Sequence, residues 1–165
     1  MSARGRAAAA VALAVAFAAC GSSTTGTRND VRAYLQRAAG WAPVEAETAR
    51  TLDRILATEF VDEAEVRHQI ADSRPRILAH LERVRSVPPP SGRLATINEK
   101  YVNAWQQLLA GYGQIEEGFS SGDYTKLARG REAMAAWRDG LVIVARELRQ
   151  LASEVGVEPA PLTQS

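Results

Sequence analysis

Between residues 94 and 119, Leu94, Ile97, Tyr101, Trp105, Leu108, Tyr112, Ile115 and Phe119 follow one another in steps of three and four. A helix turns once every 3.6 residues, so these side chains form one unbroken apolar stripe along roughly 40 Å of rod. A half-buried strand would instead alternate apolar and polar residues, and no convincing alternation of that kind occurs along the chain. A stripe this long must be covered by other elements of the same kind. The fold is therefore predicted to be all-α.

The remaining segments supply the cover. Leu127, Met134, Leu141, Leu148 and Val155 fall every seven residues, with Trp137, Val144 and Leu151 interleaved, the pattern of a bundle seam. A first helix is predicted from about Asp30 through Val31, Leu35, Ala38, Ala42, Ala49, Leu52 and Leu56. Gly40 and Pro43 interrupt it, which predicts a kink or short break near Trp41. A second helix carries Val66, Ile70, Ile77, Leu81 and Val84, with a bend expected at Pro75. Asp62 followed by Glu65 is a capping-box spacing that marks its start. Residues 87–92 (Val-Pro-Pro-Pro-Ser-Gly) cannot continue a helix, and Ser120-Ser121-Gly122-Asp123 offers a stop followed by a cap. Short loops between long helices favour antiparallel neighbours, so the expected architecture is an up-down-up-down four-helix bundle. It depends on a turn near Thr58 to Asp62; without that turn the count falls to three. With 165 residues the chain suits one domain, placed at residues 30–155, with an irregular tail over 156–165.

The N-terminal residues 1–19 have a different character. Arg4 and Arg6 precede an apolar run from Ala7 to Ala19 that ends in small residues, the layout of an export signal peptide. As a helix that run spans roughly 20 Å, short of the roughly 30 Å hydrocarbon core of a bilayer. The chain's single cysteine, Cys20, follows at once, and a lone thiol in an exported protein needs its own explanation. Phe17-Ala18-Ala19-Cys20-Gly21 resembles the lipobox of bacterial lipoprotein precursors, departing from it in having Phe17 where Leu is usual. The resemblance covers only these first residues. It implies cleavage before Cys20, lipidation of the Cys20 sulfur and, where the cell has two membranes, sorting of the Gly21-bearing product to the outer one. The alternative is a plain secretory signal cut near Ala19, with Cys20 left as a free thiol. On the lipoprotein reading residues 20–29 combine the lipidated cysteine with a flexible tether, because Gly21 to Thr27 is rich in Gly, Ser and Thr.

Candidate chemistry is sparse. Glu65 and His68 have the Glu-x-x-His spacing used by di-iron bundles, yet His80 is preceded three residues earlier by Ile77, and the third and fourth stripes carry no carboxylate. Met134 as a haem ligand fails on level: counted along the helices it stands roughly 8–10 Å from either histidine. Trp105, Trp137, Tyr101 and Tyr112 lie on core stripes and read as packing, their polar tips reaching the bundle edge. Trp41, beside the interruption, reads either as an exposed contact or as a staple on the kink. Arg67, Arg74, Arg76, Arg83 and Arg85 give the second helix a basic character, partly offset by i,i+4 pairs Glu63–Arg67 and Asp72–Arg76. No nucleophilic triad and no glycine-rich phosphate loop can be assembled. Without Arg4 and Arg6 the basic residues number 18 of the original 20, against 19 acidic ones, a balance that does not favour nucleic acid.

These readings converge on a non-catalytic, membrane-anchored envelope lipoprotein whose helical surface meets another envelope protein. No catalytic, cofactor or metal residue, no nucleic acid and no small-molecule substrate is assigned; Cys20 is the one site residue. The competing reading is a small-ligand or metal carrier using a cavity inside the bundle.

Overall fold

A computed structural model describes residues 20–60, 62–89 and 92–158. Five helices span most of them: α1 (Cys20–Ala39), α2 (Ala42–Ala57), α3 (Glu63–Ser86), α4 (Arg93–Ser121) and α5 (Tyr124–Glu154). Among the described residues there is no strand, so the all-α expectation holds. The leader 1–19 and the lipobox residues before Cys20 lie outside the described residues, as does the side chain of Cys20 itself. Residues 20–29, expected to be a flexible tether, have helical backbone in α1.

The helix count is five rather than four, and Gly40 to Pro43 explain the difference. The amides of Gly40 and Trp41 bond back to Arg37 (3.0 Å) and Ala38 (2.9 Å), tightening the end of α1 into a stop. Pro43 then sits in the first turn of α2, where its missing N–H leaves nothing unpaired, so it opens a second helix instead of bending the first. Ala42, expected on the buried stripe, is consequently exposed.

The turn near Thr58 forms without any glycine. Thr58 Oγ1 donates to the Ile55 carbonyl at 2.7 Å and accepts from the Phe60 amide at 3.2 Å. Glu59 and Phe60 both take left-handed backbone, φ 48° and 60°, which L-residues adopt only at a cost. The compensation is the Phe60 ring, set edge-on to Phe119 at 6.3 Å. Asp62 then caps α3 by accepting from the Glu65 amide at 3.0 Å. Half of the predicted capping box is present, because the Glu65 carboxylate accepts from Gln69 instead. α3 continues through Pro75 to Ser86.

Side-chain pairs fix the directions. Glu47 meets Arg76 and Arg54 meets Gln69, so α3 runs back along α2. Arg74 meets Glu116 and His80 meets Tyr101, reversing again into α4. Arg93–Glu154 and Lys126–Glu117 reverse once more into α5. At its far end α5 closes on Gly156 (φ 66°), and the Val157 amide bonds to the Ala152 carbonyl at 2.8 Å. Gly156 and Val157 thus belong to the helix cap, with Val157 buried, where the irregular tail was expected to begin. Arg28 of α1 donates to the Gly156 carbonyl at 2.8 Å, bringing the two ends of the described chain together.

The predicted stripes are the core. Val31, Leu52, Val66, Ile70, Ile77, Leu81, Ile97, Trp105, Leu108, Tyr112, Ile115, Met134 and Trp137 are all buried. What those stripes do not show is how close α4 and α5 come. Gly111 and Gly118 on α4 face Ala133, Gly130 and Leu127 on α5, and Ala104 faces Gly140. A Cβ on Gly111 would stand 2.6 Å from that of Ala133, and one on Gly130 would lie 2.8 Å from the Gly111 carbonyl oxygen and press on Ile115. Only glycine lets the two backbones approach so far.

A paired substitution tests this. Gly113 has nothing within 4 Å of its added Cβ, so Gly113→Ala is expected to stabilise by about 0.5–1 kcal/mol through helix propensity alone. Gly130→Ala gains the same propensity and meets the clash, so a net destabilisation of about 1–3 kcal/mol is expected. Urea unfolding of both variants checks the opposite signs.

Candidate functional site

The joint between α1 and α2 turns Trp41 inward, and the polar residues of the interior gather around it. Glu45 stands in the first turn of α2, His80 on α3 and Tyr101 on α4. The Tyr101 hydroxyl donates to Glu45 Oε1 at 2.8 Å and lies 2.7 Å from His80 Nε2. Trp41 stacks on Tyr101 with ring centroids 4.8 Å apart, while Tyr34 and His80 meet Trp41 edge-on. Trp105 closes the far side, 4.8 Å from the His80 ring and 5.0 Å from Trp137. His80 is 1% exposed and Tyr101 3%; Glu45, half-buried, is the edge nearest solvent. Beside this cluster the Tyr34 hydroxyl donates to Asn98 Oδ1 at 3.1 Å, and deeper in the core Ser73 and Tyr112 hydroxyls bond at 3.1 Å.

The environment sets the charge states. Burial, reinforced by the Arg83 charge, lowers the His80 imidazole from its usual 6.5 to about 4, so the ring is neutral at pH 7. Burial raises the Glu45 carboxyl, with the Tyr101 bond offsetting part of that. Burial and the neighbouring Glu45 push the Tyr101 phenol well above its usual range. With Glu45 ionised, Tyr101 gives its one proton to the carboxylate and accepts from His80 Nε2–H. Protonated Glu45 reverses the chain: Glu45 donates to Tyr101, Tyr101 to Nε2, and the imidazole proton moves to Nδ1. The arrangement links a carboxylate to an imidazole through a phenol, inside walls of indole. No partner lies within bonding reach of His80 Nδ1, Trp105 Nε1 or Trp137 Nε1 among the described residues.

The polar tips of Tyr101 and Tyr112 were expected at the bundle edge; both hydroxyls bond inside the core instead. Trp41 is a buried staple, 7% exposed, rather than an exposed contact. The sequence signal was present. Glu45 completes the steps Ala42, Glu45, Ala49, Leu52, and His80 continues Ile77 toward Val84, so each polar residue occupies a stripe position.

Other sequence candidates separate. His68 is exposed and pairs with Asp72 at 3.3 Å, so Arg76, expected to pair with Asp72, pairs with Glu47 instead. Glu63–Arg67 forms as expected at 2.7 Å, and Arg74 meets Glu116, so much of the basic character of α3 is met by carboxylates. Glu65, half-buried, faces Gln69. Among the described residues no group of three or more His, Cys, Asp or Glu side chains gathers into a metal site. Met134 is wholly buried. Two recesses, of about 170 and 250 Å³, open on either side of Arg83; one is floored by Thr48, Thr51 and Ser73 and the other by Trp41 and Val84. Both fall below the roughly 300–1,000 Å³ of ordinary small-molecule sites. No match to this chain is found among known protein families, curated proteins or solved structures.

Removing the central hydroxyl is the direct test of the cluster. Tyr101→Phe strips a partner from both His80 and Glu45 and is expected to cost about 1–3 kcal/mol in urea unfolding. Tyr124→Phe, at a tyrosine 83% exposed, should change stability by less than about 0.5 kcal/mol.

Proposed function

We propose that this chain is an exported, lipid-anchored envelope protein whose helical body works as a non-catalytic interaction module. The observation that carries this reading is the lipobox-like Phe17-Ala18-Ala19-Cys20-Gly21, with the sole cysteine placed directly after an Arg-flagged apolar leader. No helix among the described residues is long and apolar enough to cross a membrane, so attachment on this reading rests on the acyl chains. Two or three acyl chains hold a protein stably at a bilayer, where one does so only marginally. The polar cluster fits a non-catalytic role because His80 and Tyr101 are covered by Trp41 and Trp105, which leaves no room for a substrate to touch them.

The finer architecture belongs to the same proposal. α1 and α2 both run opposite to α5, meeting it at Arg28–Gly156 and at Arg138, which donates to the Ala49 carbonyl at 3.1 Å. Taken as one kinked column, they complete an up-down-up-down bundle of four columns. Such a body offers its outer helix faces to a protein partner, Leu78 on α3 and Val142 and Ile143 on α5 standing exposed among charged residues.

Mass spectrometry of the mature N-terminus tests the anchoring. The expected product begins at Cys20 with a diacylglyceryl mass on sulfur, and Cys20→Ala is expected to block processing or release the protein from membranes. A mature chain carrying an unmodified thiol sinks the proposal. In-cell crosslinking from the α3 and α5 faces should return the same envelope protein in replicate; its failure to do so counts against the interaction role while leaving the anchoring intact.

A further inference from the structure

Glu45, Tyr101 and His80 belong to three different helices, and Trp41, packed on the cluster, sits in the two-residue link between α1 and α2. We propose that the cluster is an acid-operated latch on the α1–α2 joint, which stays shut when it takes up one proton and opens when it takes up a second. Opening swings Trp41 away from Tyr101 and His80 while α4 and α5 remain paired. The latch does not depend on the anchoring reading.

Three features of geometry carry this. The joint consists of Gly40 and Trp41 alone: their amides bond back to the last turn of α1, and the Trp41 carbonyl accepts from the Val44 and Glu45 amides that open α2, so any bending is confined to these two residues. Trp41 is held by ring contacts to Tyr34, His80 and Tyr101, not by any hydrogen bond on its side. A recess of about 250 Å³, lined by Arg37, Gly40, Trp41, Arg83 and Val84, gives the indole room to move and water a way in.

The proton count explains the two steps. In the shut latch with Glu45 ionised, the Tyr101 proton is on the Glu45 side and His80 is the neutral Nε2–H form. The first proton goes to Glu45, and the bonds reverse without losing any: Glu45 donates to Tyr101, Tyr101 to Nε2, and Nδ1 holds the imidazole proton. The second proton makes His80 an imidazolium. Nε2–H then donates to the phenol oxygen, Tyr101 turns its proton back to the carbonyl oxygen of the Glu45 carboxyl, and the Glu45 O–H is left to the solvent edge. A cation is also left between Trp41 and Trp105 with Nδ1–H unpartnered. Burying such a charge unpaired is costly, so the state is relieved by admitting water.

The charged and titratable groups facing the site act in known directions. From α1 come Tyr34 and Arg37, from α2 Glu45, from α3 His80 and Arg83, and from α4 Tyr101 and the neutral Asn98; α5 contributes only the Trp137 ring behind Trp105. Glu45, raised by burial, binds its proton more tightly in the shut form, so its titration alone favours closure as pH falls. His80 is lowered to about 4 when shut and returns toward 6.5 when solvated, so between those values the open form binds more protons. Across that window His80 favours opening as pH falls, by up to about tenfold per pH unit for its one proton, and the tighter-held Glu45 proton subtracts from that. Arg83 adds repulsion in the same sense.

The test uses the full chain in mild detergent micelles, taken from pH 7.5 to 4. In an imidazole NMR titration the His80 ring is expected to titrate near pH 4, well below the usual 6.5. Amide exchange, corrected for the intrinsic pH dependence, is expected to rise severalfold over residues 34–47 between pH 6.5 and 4, with protection of 104–118 and 130–140 unchanged. His80→Gln, which keeps a donor toward Tyr101 and cannot be protonated, is expected to abolish that rise. The latch is refuted if residues 34–47 keep their protection, if His80→Gln opens at the same pH, or if the α4–α5 core loses protection in the same step. Should His80→Gln fail to fold at pH 7.5, the two wild-type readouts decide alone.

Discussion

The closest physical constraint in this molecule is the contact of backbone on backbone between α4 and α5. Gly111 and Gly130 remove the side chains that would hold the two longest helices apart, and Ala104, Ala133 and Gly140 continue the same small-residue seam. Dispersion falls off steeply with separation, so each reduction in distance multiplies the atoms in favourable contact. The large residues, Trp105, Tyr112, Ile115 and Trp137, are thereby turned to one side of the pair, where α2 and α3 must come to cover them. The rest of the chain is organised by that need for cover.

What covers them is not purely apolar. Glu45, His80 and Tyr101 stitch α2, α3 and α4 together at one level, and Tyr34–Asn98 ties α1 to α4 nearby. Hydrogen bonds of this kind add little net stability but penalise any packing in which they are unmade. They specify register where the aliphatic contacts alone would accept a helix sliding by a turn. The polar interior thus serves uniqueness of packing as much as any chemistry.

Much of this was legible in residue order, and the rest failed for identifiable reasons. The stripes of α3, α4 and α5 were readable because large apolar residues recur without interruption, and Asp62, Gly122 and Asp123 mark ends by local chemistry that does not depend on the fold. Pro43 was ambiguous because proline is a breaker inside a helix and a starter in its first turn, and only the backbone of Gly40 decides which. The interior cluster was missed because His80 was weighed only as a metal or haem ligand and Glu45 was not weighed at all, and their common partner, a tyrosine on another helix, has no spacing signature along the chain. The glycine seam was missed for a related reason: Gly111, Gly118 and Gly130 look like helix weakeners one residue at a time, and their value lies in what stands opposite. No reading of order alone pairs two residues from different helices.

Because Arg28 and Gly156 are joined, α1 near Arg28 and the cap of α5 lie at the same pole of the described structure. The α4–α5 hairpin extends from there as a stalk whose tip, at Gly122 and the outlying ring of Tyr124, stands roughly 40 Å away by helix rise. Whatever holds α1 near Arg28 therefore holds this body like a post by its foot, and the tip samples a layer of space that the base never reaches.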